Sequence, residues 1–218
     1  MTSYDVDVAV ITEMHFKAKH SDSLVGVDRY VLFRRDRARR RGGGVALYVR
    51  SNIQSSLWTY SGDNRTYEIL WARVGTDFFV GALYHPPRPH YKPVELLDYI
   101  EGCVDELVRD FPAAHIVLAG DLNQMPDLDL VERTGLTQIV HQPTRGNNIL
   151  DCVFVSNPQL FSAIRVVASV VKSDHKAVIA FSDANQCARH ELLNSANIPA
   201  KNPVSARSVL AACNICQL

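Results

Sequence analysis

An apolar segment that ends in polar, chemically capable side chains is the most informative part of this sequence. Residues 116–119 are Ile, Val, Leu and Ala, and Gly-Asp-Leu-Asn follows directly. The pattern predicts a buried strand that delivers a carboxylate and an amide to the end of a sheet, where catalytic groups often lie. Gly120 permits a tight exit, Asp121 can bind a metal ion or accept a proton, and Asn123 points the same way as Asp121 if the strand continues. Such an arrangement is typical of phosphoesterases.

Other apolar runs end or begin in the same way. They are Val6–Thr12 before Glu13, Phe78–Leu83 before Tyr84 and His85, Ile149–Val155 around Asp151, and Ser173-Asp174-His175 before residues 177–181. Each has a plainer explanation when taken alone. Asp121 and Asn123 could cap backbone groups in an Asx turn, Glu13 could pair with His15 at the surface, and Asp174-His175 could cap a strand. The repetition of one pattern favours a shared site.

A family resemblance follows from the order of these motifs. Ile-Thr-Glu, Tyr-His-Pro-Pro, Gly-Asp-Leu-Asn, Leu-Asp-Cys-Val-Phe and Ser-Asp-His resemble the motifs of the endonuclease/exonuclease/phosphatase superfamily. Residues 41–49 and 142–146 further resemble the glycine-rich turn and the Pro-Thr-Arg loop of the apurinic-type endonuclease domain of LINE (non-LTR) retrotransposons. The resemblance covers residues 6–182. It implies an α/β fold, a four-layer sandwich of two packed mixed sheets flanked by helices, and a metal-dependent endonuclease that nicks target DNA.

Cleavage of a phosphodiester requires an activated water, a cation that absorbs charge, and donors that stabilise the transition state. Glu13 is the best candidate metal ligand, because a carboxylate at a strand end suits Mg²⁺, with Mn²⁺ as an alternative. Asp174 is a second candidate ligand, or a group that positions the leaving oxygen. Asp121 is predicted to orient or deprotonate the attacking water, and Asn123 to hold that water or a phosphate oxygen.

The remaining candidates would act on the phosphate. His175 can contact the scissile phosphate in its charged or its neutral form near pH 7. The family pattern implies that Asp151 fixes the tautomer of His175. Tyr84 could donate its hydroxyl group to phosphate, although a half-buried structural tyrosine explains it equally well.

Double-stranded DNA is the partner that this chemistry implies. The net charge is zero, with 23 basic and 23 acidic residues, but residues 34–41 contain six arginines. This loop, and Arg39, Arg40 and Arg41 in particular, is predicted to lie along a phosphate backbone, together with the loop residues Thr144 and Arg145. The alternative is a solvated hairpin loop that keeps the protein soluble.

Composition is consistent with one enzyme-sized α/β domain. The chain has 218 residues, of which 47% are hydrophobic. It has no apolar run long enough for a bilayer and no signal-peptide pattern, so we expect a soluble intracellular protein without a membrane partner, nuclear if it acts on chromosomal DNA. Its five cysteines are odd in number, and Cys103 and Cys152 lie in apolar periodic segments, which indicates reduced core thiols.

Hydrophobic periodicity predicts many strands and few helices. Strands are expected near residues 6–12, 29–34, 44–50, 68–74, 77–83, 115–120, 150–155, 164–171 and 176–181. One clear helix is expected from Val94 to Arg109, with an apolar stripe of Leu96, Leu97, Ile100, Val104, Leu107 and Val108, and a shorter one from Asp127 to Glu132.

Two regions depart from the family pattern. The resemblance implies a first strand that carries an asparagine of the metal and phosphate site, followed by a helix, yet the glutamate is already residue 13 and no other asparagine obviously substitutes. An exposed sheet edge and an unfilled core face are therefore expected, with impaired folding and activity. Residues 183–218 are polar and aperiodic, and are predicted to form a disordered or out-of-family tail beyond the domain of residues 1–182. Cys187, His190, Cys213 and Cys216 provide a weaker zinc hypothesis.

Alternative functions remain open on the sequence alone. The chain could be a catalytically inactive, truncated relic or a nucleic-acid-binding module of the same fold. It could carry a different chemistry of the superfamily, as a lipid or inositol phosphatase, which the arginine loop and the Pro-Thr-Arg loop disfavour. It could also be an interaction domain in which the motifs are fortuitous.

Overall fold

The fold was analysed in a computed structural model of the chain. It describes residues 6–16, 20–37, 42–63, 65–169 and 173–182, and the backbone of 209–214. Arg39, Arg40 and Arg41 lie outside the described residues, as do the side chains of the zinc hypothesis. Within the described part of the chain, no helix is long and apolar enough to cross a membrane.

The first sheet has six strands and contains both ends of the described chain. Its strands are β1 (Val8–Thr12), β2 (Tyr30–Arg35), β3 (Val45–Arg50), β10 (Phe161–Val167), β11 (Ala177–Ser182) and β12 (Val209–Asn214), in the spatial order β10-β11-β12-β1-β3-β2. Only the β1–β12 pair is parallel, so the sheet is mixed. The short helix α1 (Asp22–Val25) precedes β2, and its Val25 carbonyl accepts a hydrogen bond from the Tyr48 hydroxyl at 2.7 Å.

The second sheet also has six strands. They are β4 (Ser55–Trp58), β5 (Glu68–Val74), β6 (Phe78–Tyr84), β7 (His115–Asp121), β8 (Thr137–Gln138) and β9 (Asp151–Val155), in the order β4-β5-β6-β7-β9-β8. The β6–β7 pair is parallel and the others are antiparallel. The two helices α2 (Pro93–Asp110) and α3 (Asp127–Thr134) connect strands of this sheet.

The central strands of both sheets are buried on both faces, and alternate residues along them face opposite sides. In β1, Val8 and Val10 pack against the second sheet, whereas Ala9 and Ile11 belong to the apolar cluster on the outer face. In β7, Val117 and Ala119 face the first sheet, and Ile116 and Leu118 face α2. Strands buried on both faces read as continuous apolar runs, which is the pattern seen in the sequence.

Helix α2 covers the outer face of the second sheet. The predicted stripe is buried as far as Leu107, but Val108 is 55% exposed because it lies beyond the edge of the apolar face. Pro93 occupies the first turn, where a backbone N–H would have no partner within the helix, so the N–H that proline lacks is not needed. The Glu95 carboxylate accepts a hydrogen bond from the Lys92 backbone N–H at 3.1 Å. The predicted architecture of two packed mixed sheets flanked by helices is confirmed, and neither sheet closes into a barrel.

Most predicted elements lie within one to three residues of their expected bounds. Strand β4, strand β8 and helix α1 were not predicted, because they are short and lack a clear hydrophobic period. Cys103 and Cys152 are buried free thiols, as expected.

Strand β12 corrects two expectations from the sequence. It lies between β1 and β11, parallel to the first and antiparallel to the second, so β1 is an internal strand and not an exposed edge. Residues 209–214 therefore belong to the fold and not to a tail beyond it. The register places Asn214 opposite Thr12, so β12 ends at the same edge of the sheet as β1.

Candidate active site

Three carboxyl- or hydroxyl-bearing residues lie in one row across the second sheet. The parallel pairing of β6 and β7 places Tyr84 opposite Asp121, and the antiparallel pairing of β7 and β9 places Asp151 opposite Asp121. The row forms because β6 and β7 end where β9 begins. Tyr84, Asp121 and Asp151 are each at most 3% exposed.

Gly120 permits the close approach of β6 and β7 at this row. A Cβ atom added to Gly120 would lie 1.7 Å from the carbonyl oxygen of Leu83. No other residue type fits without displacement of the β6 backbone, which would move Tyr84 relative to Asp121. The tight strand exit that the sequence predicts at Gly120 has this physical basis.

Hydrogen bonds fix the loops that leave β6 and β7. The Asp121 carboxylate accepts a bond from the Asn123 backbone N–H at 2.9 Å, and the Asn123 side-chain amide donates to the carbonyl oxygen of His85 at 2.8 Å. Asn123 adopts a left-handed φ of 48°. The Asx-turn interpretation therefore holds for the local geometry of Asp121, and it coexists with the placement of Asp121 in the row.

Asp121 is predisposed to carry a proton near neutral pH. Burial and the negative charge of Asp151 raise the pKa of Asp121 to about 7, and the bond from Asn123 only partly offsets them. A carboxyl group with this pKa can exchange a proton with a water molecule under physiological conditions.

Asp151 and His175 form a buried pair. The imidazole Nδ1 lies 2.8 Å from an Asp151 carboxylate oxygen, and both side chains are 3% exposed. Burial lowers the pKa of His175, but the hydrogen bond and the charge of Asp151 outweigh it, and the pKa lies above the usual histidine range. A proton on Nδ1 that bonds to Asp151 directs Nε2 away from Asp151.

Glu13 reaches the same neighbourhood from the first sheet. The Tyr84 hydroxyl donates a hydrogen bond to the Glu13 carboxylate, and burial, together with that carboxylate, raises the pKa of Tyr84. Glu13 follows β1 directly and has a left-handed φ of 51°. A non-glycine residue in this region stores strain that commonly accompanies functional positions. The Tyr84 hydroxyl, predicted as a phosphate donor, bonds to Glu13 instead.

Asp174 and Arg145 lie at the rim of the site. Their side chains form an ion pair at 2.6 Å and are 58% and 45% exposed. Arg145 is therefore accessible for the predicted contact with a phosphate backbone. Asp174, predicted as a metal ligand, is paired with a guanidinium group in this structure.

Thr144 corrects the predicted set of DNA contacts. Its side chain is fully buried, and its hydroxyl oxygen accepts bonds from the backbone N–H groups of Leu150 and Asp151, each at 3.0 Å. A buried hydroxyl group that is bonded in this way does not reach a ligand at the surface. The loop interpretation failed because the sequence does not show that this loop folds underneath the site.

The described part of the arginine-rich run also has internal partners. The guanidinium groups of Arg34 and Arg35 bind Asp22 and Asp63, each at 2.9 Å. These bonds engage two of the arginines that the sequence predicts to lie in a DNA-facing loop.

Arg37 was missed as a member of the site. It pairs with Glu68, the β5 residue opposite Tyr84, and lies over the Tyr84 ring with its Cζ atom 5.5 Å from the ring centroid. Glu68 also accepts a bond from the Gly44 backbone N–H. No pattern in the sequence pointed to Arg37, because its place depends on the register of β5 against β6, which composition and spacing do not reveal.

Comparisons with known proteins bear on the family and the fold of this chain. A sequence profile described as the Endonuclease/Exonuclease/phosphatase family matches residues 1–175. A search of curated proteins gave no match.

Solved structures share the fold at low sequence identity. A variant of the 3′ phosphatase NExo from Neisseria, bound to product DNA hairpin, is 18% identical, with a TM-score of 0.58 over 81% of this chain and 89% of that one. The AP endonuclease LMAP from Leishmania major is 17% identical, with a TM-score of 0.55 and coverage of 78% and 76%. A humanized TDP2 from D. rerio is 13% identical, with a TM-score of 0.54 and coverage of 78% and 82%. On the match to most of its length, this chain belongs to the Endonuclease/Exonuclease/phosphatase family.

Proposed function

We propose that this chain is a metal-dependent endonuclease that hydrolyses a phosphodiester bond in double-stranded DNA. The observation that carries the proposal is the buried row of Tyr84, Asp121 and Asp151, with Glu13 bonded at one end and His175 at the other. Buried titratable groups that meet at one sheet edge, one of them with a strongly raised pKa, are typical of hydrolytic sites.

Asp121 is assigned the role of general base. Its pKa of about 7 allows it to accept a proton from a water molecule that attacks phosphorus. Asn123 lies in the loop that follows Asp121, and its backbone N–H holds the Asp121 carboxylate. The side-chain amide of Asn123 is therefore assigned to the same water or to a phosphate oxygen.

His175 is assigned to the phosphate. The Asp151 carboxylate holds Nδ1, and the raised pKa favours an imidazolium whose Nε2–H donates to the negative charge that develops on the phosphoryl oxygens. Asp174 and Arg145, which pair at the rim, are assigned to the leaving-group side and to the DNA backbone.

The donor chemistry of the site fits a hard divalent cation. Glu13 would hold Mg²⁺ or Mn²⁺, and such an ion would offset the clustered negative charge that raises the pKa of Asp121. Among the described residues, no group of three or more His, Cys, Asp or Glu side chains is placed to hold a metal ion. Mg²⁺ does not need one, because it binds through one or two carboxylates and keeps several waters. When bound, the ion would polarise the phosphoryl oxygens.

The proposal extends to the biological role. The Gly-rich turn and the Pro-Thr-Arg loop support an endonuclease domain of a LINE-type retrotransposon, which nicks target DNA in the nucleus. One solved structure of the same fold holds a DNA hairpin product, which supports DNA as the substrate class.

A plasmid-nicking assay tests the proposal. The chain should convert supercoiled to nicked DNA with added Mg²⁺, and a chelator should abolish the conversion. Asp121→Ala and His175→Ala should each lower the rate by roughly 100-fold or more while the circular dichroism spectrum is retained. Arg73→Ala is the matched control. Arg73 is bonded to the Thr76 carbonyl oxygen near the end of β5 that is remote from Glu68, so this variant should nick DNA normally.

The outcomes separate the two candidate functions. DNA binding without nicking would support the alternative of a catalytically inactive relic or nucleic-acid-binding module. Normal nicking by Asp121→Ala would overturn the site assignment.

A further inference from the structure

We infer that Thr144 is a positioning residue that sets the geometry of the Asp151–His175 pair; this inference rests on the proposed phosphodiesterase function. Asp151 and His175 come from different sheets, since Asp151 begins β9 and His175 precedes β11. The 2.8 Å contact between their side chains therefore depends on how two separate chain segments meet. Thr144 is bonded to both segments.

The side chain of Thr144 holds the segment that carries Asp151. Its Oγ1 atom accepts hydrogen bonds from the N–H groups of Leu150 and Asp151, both at 3.0 Å. Leu150 precedes β9 and Asp151 is its first residue, so both donors lie where the strand begins. A buried hydroxyl oxygen that receives two such bonds fixes the first residue of the strand, and with it the origin of the Asp151 side chain.

The backbone of Thr144 holds the segment that carries His175. Its carbonyl oxygen accepts a bond from the Lys176 N–H at 2.7 Å, one residue beyond His175. Its own N–H donates to the carbonyl oxygen of Asn148 at 2.9 Å, which closes the turn before Leu150. One fully buried residue thus bonds directly to Asp151 and to Lys176, the neighbour of His175.

The geometry separates this role from that of an ordinary turn residue. A turn residue would stabilise the loop, and its loss would lower the free energy of unfolding without a particular effect on the reaction. A positioning residue would, in addition, lengthen the Nδ1–carboxylate contact when it is lost. Small displacements of this kind cost roughly 100-fold in rate.

Two substitutions in the full 218-residue chain isolate the hydroxyl group. Thr144→Val keeps the shape of the side chain but leaves two buried N–H donors without their acceptor. Thr144→Ser keeps the acceptor and removes only the methyl group. Thr134→Val is the matched control, because Thr134 Oγ1 also bonds backbone groups, Leu130 and Leu136, at the end of α3.

Two readouts are needed. The first is steady-state nicking, in which Thr144→Val should lower kcat by roughly 10- to 100-fold with little change in KM, while Thr144→Ser stays near the parent value. The second is the low-field proton NMR signal of the His175 Nδ1–H in its bond to Asp151, at fixed pH. That signal should be present in the parent and in Thr144→Ser, and shifted upfield or lost in Thr144→Val.

The NMR readout needs no enzymatic activity, so the two proposals can fail separately. If the parent chain does not nick DNA but the His175 signal responds as described, the positioning role stands and the proposed function fails. If the signal and kcat of Thr144→Val match those of Thr134→Val, the positioning role is wrong. If Thr144→Val does not fold, Thr144→Ala takes its place, because it also removes the hydroxyl group. A normal kcat in Thr144→Ala would overturn the inference, and an unchanged Thr144→Ser would not rescue it.

Discussion

At the scale of single residues, the site places two buried carboxyl groups opposite each other in different surroundings. Asp151 bonds to the imidazole of His175, whereas Asp121 receives a backbone N–H from Asn123 and lies against the charge of Asp151. In the proposed reaction, this division gives two chemically identical groups different roles, Asp121 as the base and Asp151 as the partner that orients His175.

This division predicts a pH-dependent stability in the metal-free protein. The pKa of Asp121 is raised from 3.8 to about 7, so the folded state holds this proton more tightly than the unfolded chain. The resulting stabilisation is fully present below about pH 4 and is lost as the pH rises through about 7. His175, whose pKa is also raised, contributes in the same direction. Asp121→Asn should therefore flatten this part of the stability profile, as measured by urea unfolding at a series of pH values.

The comparison with Asn123→Ala serves as a control for that measurement. This variant keeps the carboxyl group and its burial, so the free energy of unfolding should still decrease over the same interval. A profile in Asp121→Asn as steep as that of the parent would show that Asp121 does not carry the raised pKa.

At the scale of elements, strand β12 is the feature that decides the first sheet. It contributes one ladder to β1 and a second to β11, and without it the sheet would divide into β10-β11 and β1-β3-β2. Each part would then present unpaired backbone groups on an internal edge, which is unfavourable for folding and promotes association.

Removal of residues 183–218 should consequently destabilise the protein strongly and promote aggregation, as measured by thermal unfolding and light scattering. A synthetic peptide of residues 206–218 should restore part of the stability when added in excess, because a strand that binds only the folded state shifts the equilibrium by mass action. A scrambled peptide is the control. Equal stability of the shortened chain and the full chain would exclude β12 from the sheet.

At the scale of the whole molecule, zero net charge means that the proposed DNA binding would depend on the local placement of cations. Arg34, Arg35 and Arg37 are engaged by Asp22, Asp63 and Glu68. Arg145, at 45% exposure, lies at the rim of the site.

Replacement of Arg39, Arg40 and Arg41 with alanine should weaken DNA binding for all sequences and flatten the dependence of log Kd on log salt concentration by about 0.9 for each lost phosphate contact. Fluorescence anisotropy over a salt series measures both effects. Arg73→Ala, near the opposite end of β5, is the control and should leave the slope unchanged. An unchanged slope in the triple variant would assign these arginines to solubility alone.

The sequence by itself determined most of the elements and many of the side chains that meet at the candidate site. Apolar runs of strand length, one helix with a 3.6-residue period and polar residues at strand ends are local patterns, and local patterns survive in the sequence. They led to β1, β6, β7, β9 and α2, and to the groups Glu13, Asp121, Asn123 and Asp151 that lie in or beside the row across the second sheet.

Only the tertiary structure decided the contacts that depend on register and on chain segments far apart. The pairing of Arg37 with Glu68, the burial of Thr144 beneath Asp151, and the insertion of β12 beside β1 each join residues separated by 7 to about 200 positions, and no local period encodes them. Strand β12 shows the reason most clearly. Its six residues read as part of a polar tail, and they become a strand because two neighbouring strands present backbone donors and acceptors that it satisfies.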